Sequence, residues 1–285
     1  MKFGVVFPQN QLGDDPTVIR DFVQAAEGMG YHHLLAYDHV LGANPEREGW
    51  KEGSPYTHED MFHEVFTLFA YLAGLTETIG FMTGVLILPQ RQTALVAKQA
   101  AQVDVLSNGR FRMGVGVGWN EVEYNSLGYD FKTRGARVEE QLVILRELWT
   151  QPLVRIEGEF DTIDDAGINP LPRQQPIPVW IGGTADVVLQ RAARIGDGWM
   201  AHSWTPEKVK PMVEKYWSYV EECGKSDSSG LHTRLITETL PESEWESYVE
   251  GWKKLGATEL AVYPHGDNLE EYIARLQLFK DRFGV

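Results

Sequence analysis

Strand-like and helix-like segments alternate along the whole of this 285-residue sequence. Each of eight short apolar segments is followed by a longer one with the 3.6-residue periodicity of an amphipathic helix. The count of eight, with chain ends that coincide with the first strand and the last helix, predicts a (β/α)8 TIM barrel rather than a doubly wound sheet. The predicted strands span residues 2–7, 33–37, 79–88, 112–117, 179–182, 198–201, 233–237 and 259–262. The predicted helices span 16–28, 58–74, 91–106, 134–150, 184–195, 205–223, 241–255 and 268–281.

A single domain over residues 1–285 is expected, because barrels of this class commonly have about this length and no linker divides the chain. Two long connections, 40–57 and 151–178, interrupt the alternation and are predicted to be loop insertions. The second follows a helix, so it should begin on the face opposite the usual active site of a barrel.

The composition excludes several classes of partner. The formal net charge is −15 and lysine and arginine form no cluster, which argues against nucleic acid and against anionic membranes. A single cysteine excludes an intramolecular disulfide and favours a cytoplasmic location. We predict no metal site, since no metal-binding motif is present and the adjacent His32 and His33 should point to opposite faces of a strand.

The carboxyl ends of barrel strands carry the active site, and Asp38-His39 ends the second strand. A histidine beside a carboxylate can exchange a proton near neutral pH, so this pair is the predicted catalytic pair. The alternative is structural: Asp38 caps the following loop and His39 lies on a loop wall.

Two glycine-rich segments also end predicted strands. In Phe111–Trp119, glycines at every second position would let a flat ligand approach the backbone, or would simply form a tight turn against a helix. A dinucleotide fingerprint is excluded because its third glycine falls on Trp119. Gly182-Gly183-Thr184 opens a predicted helix and suits a phosphate; alternatively, the glycines only make the turn and Thr184 is the N-cap.

Several further motifs accompany these features. Together they resemble the bacterial-luciferase-like flavin and deazaflavin oxidoreductases over essentially the whole chain, and most closely the branch that uses coenzyme F420. The motifs are Asp38-His39, the stretch 83–89, the stretch 106–110 before the glycine run, Glu123-Tyr124, Leu127-Gly128 and the stretch 179–183.

The resemblance implies a role for each matching residue. The Gly84–Val85 peptide would be a cis bond behind the cofactor ring, and Gly182 to Thr184 would hold the phosphate. Glu123 is expected to brace its loop by pairing with Arg134 or Arg137. The cofactor-contacting residues implied are Asp38, Gly84, Val85, Ile87, Val117, Gly118, Gly182, Gly183 and Thr184.

The expected function is hydride transfer between F420 and a small, unphosphorylated organic substrate, with His39 moving a proton under the control of Asp38. A partly apolar substrate would suit an aromatic wall formed by Trp50, Tyr56, Phe62 and Phe66. We also expect a homodimer. One alternative keeps the fold but uses FMN and molecular oxygen, as a monooxygenase. Another is a cofactor-binding protein without turnover.

Overall fold

The predicted strands close into a barrel in the computed structural model, which describes residues 1–50 and 52–285. Within these residues, nine strand segments form one parallel sheet, in the order β3 (Gly80–Thr83), β2 (His33–Ala36), β1 (Lys2–Val6), β11 (Glu259–Tyr263), β10 (Gly230–Ile236), β9 (Gly198–Met200), β8 (Val179–Gly182), β5 (Phe111–Gly116) and β4 (Leu86–Ile87). Pairing of β3 with β5 closes the sheet. Since β3 and β4 are two parts of one interrupted strand, the cylinder has eight strands across the described residues, and the TIM-barrel prediction is confirmed.

The strands and helices follow the predicted alternation. The barrel strands are β1 (Lys2–Val6), β2 (His33–Ala36), β3 (Gly80–Thr83), β4 (Leu86–Ile87), β5 (Phe111–Gly116), β8 (Val179–Gly182), β9 (Gly198–Met200), β10 (Gly230–Ile236) and β11 (Glu259–Tyr263). The α-helices are α1 (Pro16–Gly28), α2 (Val65–Ala73), α3 (Thr93–Leu106), α4 (Glu121–Ser126), α5 (Arg134–Thr150), α6 (Asp186–Ile195), α7 (Pro206–Glu222), α8 (Trp245–Lys254) and α9 (Leu269–Phe283).

The connections differ from the sequence expectation in several places. The helix expected over 58–74 begins only at Val65, because the Glu64 side chain caps it by accepting from the Thr67 amide at 2.7 Å. The connection 40–57, in which Lys51 lies outside the described residues, is followed by a turn rather than by a helix. Helix α4 was not predicted; Asn120 caps it by accepting from the Val122 amide.

The connection 151–178 contains an antiparallel hairpin that the sequence did not indicate. It pairs β6 (Val154–Glu157) with β7 (Thr162–Ala166), and most of its side chains are exposed. Because the hairpin carries little apolar surface, it lacks the alternating pattern by which a half-buried strand is predicted.

Two hydrophobic cores surround the sheet wall. The larger one lies between the strands and the outer helices. The smaller one fills the barrel and consists of six buried residues: Val6, Leu35, Met82, Trp180, Met200 and Ala261. Bulky inward side chains at this level form a floor, so the ligand space above it opens at the carboxyl ends of the strands.

A buried polar cluster packs against that floor, with the His232 and Arg112 side chains beside the Trp180 ring. The His33 Nε2 lies 3.0 Å from the His232 Nε2, and the His33 Nδ1 lies 3.2 Å from the His32 Nδ1. Beside them the Arg112 Nη1 donates to the Glu259 Oε1 at 2.5 Å. The expectation that His32 and His33 point apart is therefore wrong. Because His32 precedes β2, the alternation of strand side chains does not constrain it.

Burial disfavours a positive charge on these imidazoles. It lowers the pKa of His32 to about 4, with the Arg112 charge as the second cause. It also lowers the pKa values of His33 and His232 well below their usual range. All three rings are therefore neutral in the folded protein at pH 7.

This cluster predicts acid sensitivity. Below about pH 6.5 the unfolded chain binds protons that the folded chain excludes, so each histidine lowers the free energy of unfolding by up to about 1.4 kcal/mol per pH unit. Above the pKa of the unfolded chain, about 6.5, the imidazoles are neutral in both states and the free energy of unfolding has its full value. It decreases as the pH falls from there toward 4. Urea unfolding between about pH 7.5 and about pH 5 measures the slope. His32→Asn should reduce it, whereas His58→Asn, at an exposed position, should leave it unchanged. A stability independent of pH over this range would contradict the prediction.

Candidate active site

A cavity of about 580 Å³ opens at the carboxyl ends of the barrel strands. This is within the range of small-molecule sites, roughly 300–1,000 Å³. All the residues predicted for the site line it. They are Asp38, His39, Gly84, Val85, Ile87, Val117, Gly118, Gly182, Gly183 and Thr184.

One wall of the cavity is a bulge between β3 and β4. Met82 pairs with Arg112, and Leu86 pairs with Val115. Between these two pairs the β3–β4 strand advances by four residues, whereas β5 advances by three. The extra residue falls at Gly84–Val85, and the peptide bond between them is cis, as the family resemblance implies. A bulge redirects the chain locally, and here it places Val85 in the cavity wall.

The alternate glycines of β5 fit against this bulge. A Cβ on Gly116 would lie 2.5 Å from the Val85 Cγ2, and one on Gly118 would lie 2.7 Å from the Ile87 Cγ2. A Cβ on Gly182 of β8 would likewise lie 2.6 Å from the Val85 Cγ1. The space freed by these glycines is thus occupied by the neighbouring strand. The sequence interpretation, in which this space is left open for a ligand, is therefore wrong, although Gly116 and Gly118 still line the cavity.

Asp38 holds the bulge in place. Its Oδ2 accepts from the Ile87 amide at 3.0 Å, and its Oδ1 accepts from the Arg91 Nη2 at 2.7 Å. Burial raises the pKa of Asp38, and the Arg91 charge opposes this rise. Both oxygens are used in these bonds and neither bonds to the next residue, His39. The expectation that Asp38 orients the imidazole is therefore wrong.

The carboxylate that contacts His39 is Glu123. The His39 Nδ1 lies 3.2 Å from the Glu123 Oε2. The Glu123 Oε1 accepts from the amides of Val40 and Leu41, at 3.3 Å in the second case. Burial raises the pKa of Glu123, but the hydrogen bonds from His39 and Val40 outweigh it and hold this pKa below its usual value.

Glu123 therefore braces its loop, but with different partners from those expected. Arg134 donates to the Phe131 carbonyl, and Arg137 contacts Asp161 at 3.4 Å. The residues that bond to Glu123 are more than 80 positions away in sequence, so spacing along the chain gave no sign of them.

Aromatic rings enclose His39. Its ring centroid lies 4.8 Å from that of Phe62, 5.2 Å from that of Tyr56 and 5.9 Å from that of Trp119. Of the four residues predicted as an apolar wall, Tyr56 lines the cavity, and Phe62 packs behind it. Phe66 belongs to the outer core, while Trp50 lines a neighbouring cavity.

The glycine pair ends β8 at the opposite side of the cavity. The N-cap of α6 is Ala185, without a side-chain cap, so the alternative that Thr184 caps this helix is wrong. No described residue accepts from the Thr184 and Ala185 amides, and the first amides of any helix lack partners within it. Gly183 has φ +133°, a conformation that few residues other than glycine adopt.

An acidic residue in the first turn of α6 would weaken an anion site, but its charge is compensated. The Lys215 Nζ lies 2.7 Å from the Asp186 carboxylate, which also accepts from the Tyr219 hydroxyl at 3.1 Å. The bond from Lys215 is the main reason that the pKa of Asp186 is lowered. The positive end of the helix dipole is thus available to an anion in the cavity.

The sequence prediction missed several lining residues on β2, β9 and β10. The missed residues are Tyr37, Met200, Ala201, His202, His232 and Arg234. The alternation of side chains along a strand could have identified Arg234 as a lining residue. His232 and Arg234 are two positions apart in β10, so their side chains point to the same, inward face. The predicted start at residue 233 hid this relation, since the strand begins at Gly230.

Comparison with known proteins identifies the family. A family model described as luciferase-like monooxygenase matches residues 1–276. An uncharacterized protein of Mycobacterium tuberculosis is 36% identical over 94% of both chains. The pyrimidine monooxygenase RutA of Allorhizobium ampelinum is 29% identical over 88% of this chain and 71% of its own. This chain belongs to the luciferase-like monooxygenase family of enzymes.

Solved structures agree with this fold. An F420-dependent secondary alcohol dehydrogenase in complex with an F420–acetone adduct has a TM-score of 0.79, at 15% identity and 97% coverage of both chains. The oxygenating constituent of 3,6-diketocamphane monooxygenase from Pseudomonas putida, in complex with FMN, has a TM-score of 0.73. It is 14% identical and covers 98% of this chain and 96% of its own.

Among the described residues, no helix has the length and apolar character to cross a membrane.

The brace around Glu123 predicts a local change in stability. In Glu123→Gln the Val40 amide should exchange with solvent about tenfold faster, because a neutral acceptor forms a weaker hydrogen bond than a carboxylate does. Hydrogen exchange followed by mass spectrometry measures this in peptides that contain residues 40 and 41. Glu121→Gln, an exposed position on the same helix, is the matched control. Equal exchange in both variants would show that Glu123 does not hold this loop.

Proposed function

We propose that this chain transfers a hydride between coenzyme F420 and a small, unphosphorylated alcohol or carbonyl compound. The observation that carries the proposal is the contact between His39 and Glu123, in which a buried carboxylate holds an imidazole of the cavity wall. Oxidation of an alcohol requires one hydride and one proton to leave. A site that pairs a hydride carrier with an imidazole meets both needs.

The cavity suits a ring cofactor that ends in a phosphate. Val85 and the Gly116–Gly118 backbone form a wall on one side. At the β8 end, the free amides of Thr184 and Ala185 and the dipole of α6 favour an anion. Both F420 and FMN contain a tricyclic ring system and a phosphate, so these residues fit either cofactor.

The cofactor, when bound, would supply a hydride acceptor or donor at C5 of its deazaflavin ring. The protein would manage the proton. With the Nδ1 hydrogen of His39 donated to Glu123, the Nε2 is the nitrogen left to accept a proton. In the oxidative direction, the alcohol would lose its hydroxyl proton to this Nε2 and a hydride from carbon, which forms the carbonyl. The reverse direction would return the proton from the same nitrogen.

A second candidate is an FMN-dependent monooxygenase that uses molecular oxygen. The sequence identity of 29% to the pyrimidine monooxygenase RutA favours it. This value exceeds the identities of 15% and 14% to the two solved structures described above. The acidic chain, with net charge −15, also favours FMN slightly, because F420 carries a polyglutamate tail. F420 remains the first proposal because the imidazole–carboxylate pair suits alcohol and carbonyl chemistry.

The cofactor choice is tested by titrating the purified protein with F420 and with FMN while recording absorbance and fluorescence. We expect micromolar or tighter binding of F420 and much weaker binding of FMN. Tight binding of FMN without any response to F420 would replace the first proposal with the second. Failure to bind either cofactor would contradict both.

The phosphate end is tested at Thr184, an exposed residue of the cavity wall. Thr184→Glu should weaken cofactor binding about tenfold or more, because a carboxylate would compete for the same amides and repel the phosphate. Thr184→Gln is the matched control, with similar volume and no charge. If both variants bind the cofactor equally well, the phosphate lies elsewhere in the cavity.

The proton step is tested by His39→Ala. Turnover of any substrate found by screening alcohols and ketones should fall roughly 10²–10⁴-fold, the usual contribution of a general acid–base group. Cofactor affinity should change little, and this difference separates proton transfer from cofactor binding. His58→Ala, an exposed position, is the control. A loss of only a few fold in a correctly folded His39→Ala protein would remove the catalytic role. If no substrate is turned over and both proteins bind the cofactor equally well, a binding protein without turnover is favoured.

A further inference from the structure

The cavity has two chemically different sides. The side formed by β4, β5 and β8 is lined by small residues and backbone, with Val85, Gly118 and Gly183 among them. The side formed by β2, β9 and β10 is lined by polar and aromatic side chains: Tyr37, His39, Tyr56, His202 and Arg234. Because the proposed cofactor occupies the first side, the second side is where the substrate would lie.

Arg234 on this second side is a cation without a carboxylate partner. Its Nη1 donates to the Tyr37 hydroxyl at 3.0 Å, which is the one hydrogen bond that the guanidinium makes to the described residues. No carboxylate of those residues lies within 4.0 Å of its guanidinium. The other two arginines close to the barrel interior do have partners, since Arg91 pairs with Asp38 and Arg112 with Glu259.

The surroundings keep this arginine charged and aim it at the cavity. Burial lowers the pKa of Arg234, but the surrounding tyrosine hydroxyls, Tyr37 first and then Tyr56 and Tyr248, outweigh that effect and the pKa is raised. The guanidinium carbon also lies over the Tyr37 ring, 5.4 Å from the ring centroid. Arg234 and His39 both line this cavity, so the charge and the group proposed to move the proton face the same ligand space.

We propose that Arg234 binds a carboxylate of the substrate, so that the substrate is a small alcohol or carbonyl compound that also carries a carboxylate group. The inference rests on the proposed function for the position of the cofactor. A guanidinium has five donors in one plane, and a planar carboxylate can accept two of them in parallel. Among the described lining residues it is the only lysine or arginine, which suits a monoanion better than a phosphate dianion.

The test compares carboxylates with neutral amides of the same shape. Isothermal titration of the cofactor-loaded protein uses benzoate against benzamide and acetate against acetamide. We expect the carboxylate of at least one pair to bind about tenfold tighter, because a guanidinium forms stronger hydrogen bonds with a carboxylate than with a neutral amide. Arg234→Gln should abolish this preference, and Arg234→Lys should retain part of it. Arg155→Gln, which removes a positive charge from the exposed hairpin, should not change it.

Each result decides the proposal. Equal binding within both pairs, or a preference that survives Arg234→Gln in a folded protein, would overturn it. A large loss of cofactor affinity in Arg234→Gln, with the carboxylate preference intact, would assign the guanidinium to the cofactor instead. The same titrations with the cofactor-free protein separate the two proposals. If neither F420 nor FMN binds but the carboxylate preference depends on Arg234, the proposed function fails and the anion site stands.

Discussion

The packing of a bulged strand against alternate glycines is the constraint on which this site depends. The extra residue at Gly84–Val85 pushes Val85 and Ile87 toward β5, and Gly116 and Gly118 provide the space for them. Side chains at those positions would collide with the bulge, since interiors pack too densely to absorb an added methyl group there. Hydrogen bonds from the Gly84 and Ile87 amides, to the Ala36 carbonyl and the Asp38 carboxylate, then tie the bulge to the adjacent strand.

The same region fixes the imidazole of His39 to the barrel. Asp38 is used to hold the bulge, which leaves its neighbour His39 to contact Glu123 on the helix after β5. Glu123 also accepts from the amides of Val40 and Leu41, so one carboxylate fixes both the imidazole and the start of the loop that follows it. A buried carboxylate stays ionised when hydrogen bonds replace its hydration. The positions of the imidazole and of the loop therefore depend on a single side chain.

The sequence predicted the barrel because hydrophobic periodicity reports which face of each element is buried. The residues that it predicted for the site do line the cavity, since every strand of a parallel barrel ends at the same rim, but they are only part of the lining. It failed on partners: Asp38 bonds to Arg91, and Glu123 bonds to His39. Those pairings join residues 53 and 84 positions apart, and they depend on loop conformations that no local pattern encodes. Arg234 was missed for a simpler reason, the misplaced start of its strand.

The proposed anion sites lie in a protein of acidic composition, and distance explains how the two are compatible. The net charge of −15 is spread over a surface where salt screens interactions beyond about 8–10 Å. The cavity presents two local positive features instead, the amino end of α6 and the guanidinium of Arg234. Asp186 at that helix end is paired with Lys215, and no described carboxylate pairs with Arg234. Electrostatic interactions strengthen where water is excluded, so these two features outweigh the distant acids for a ligand inside the cavity.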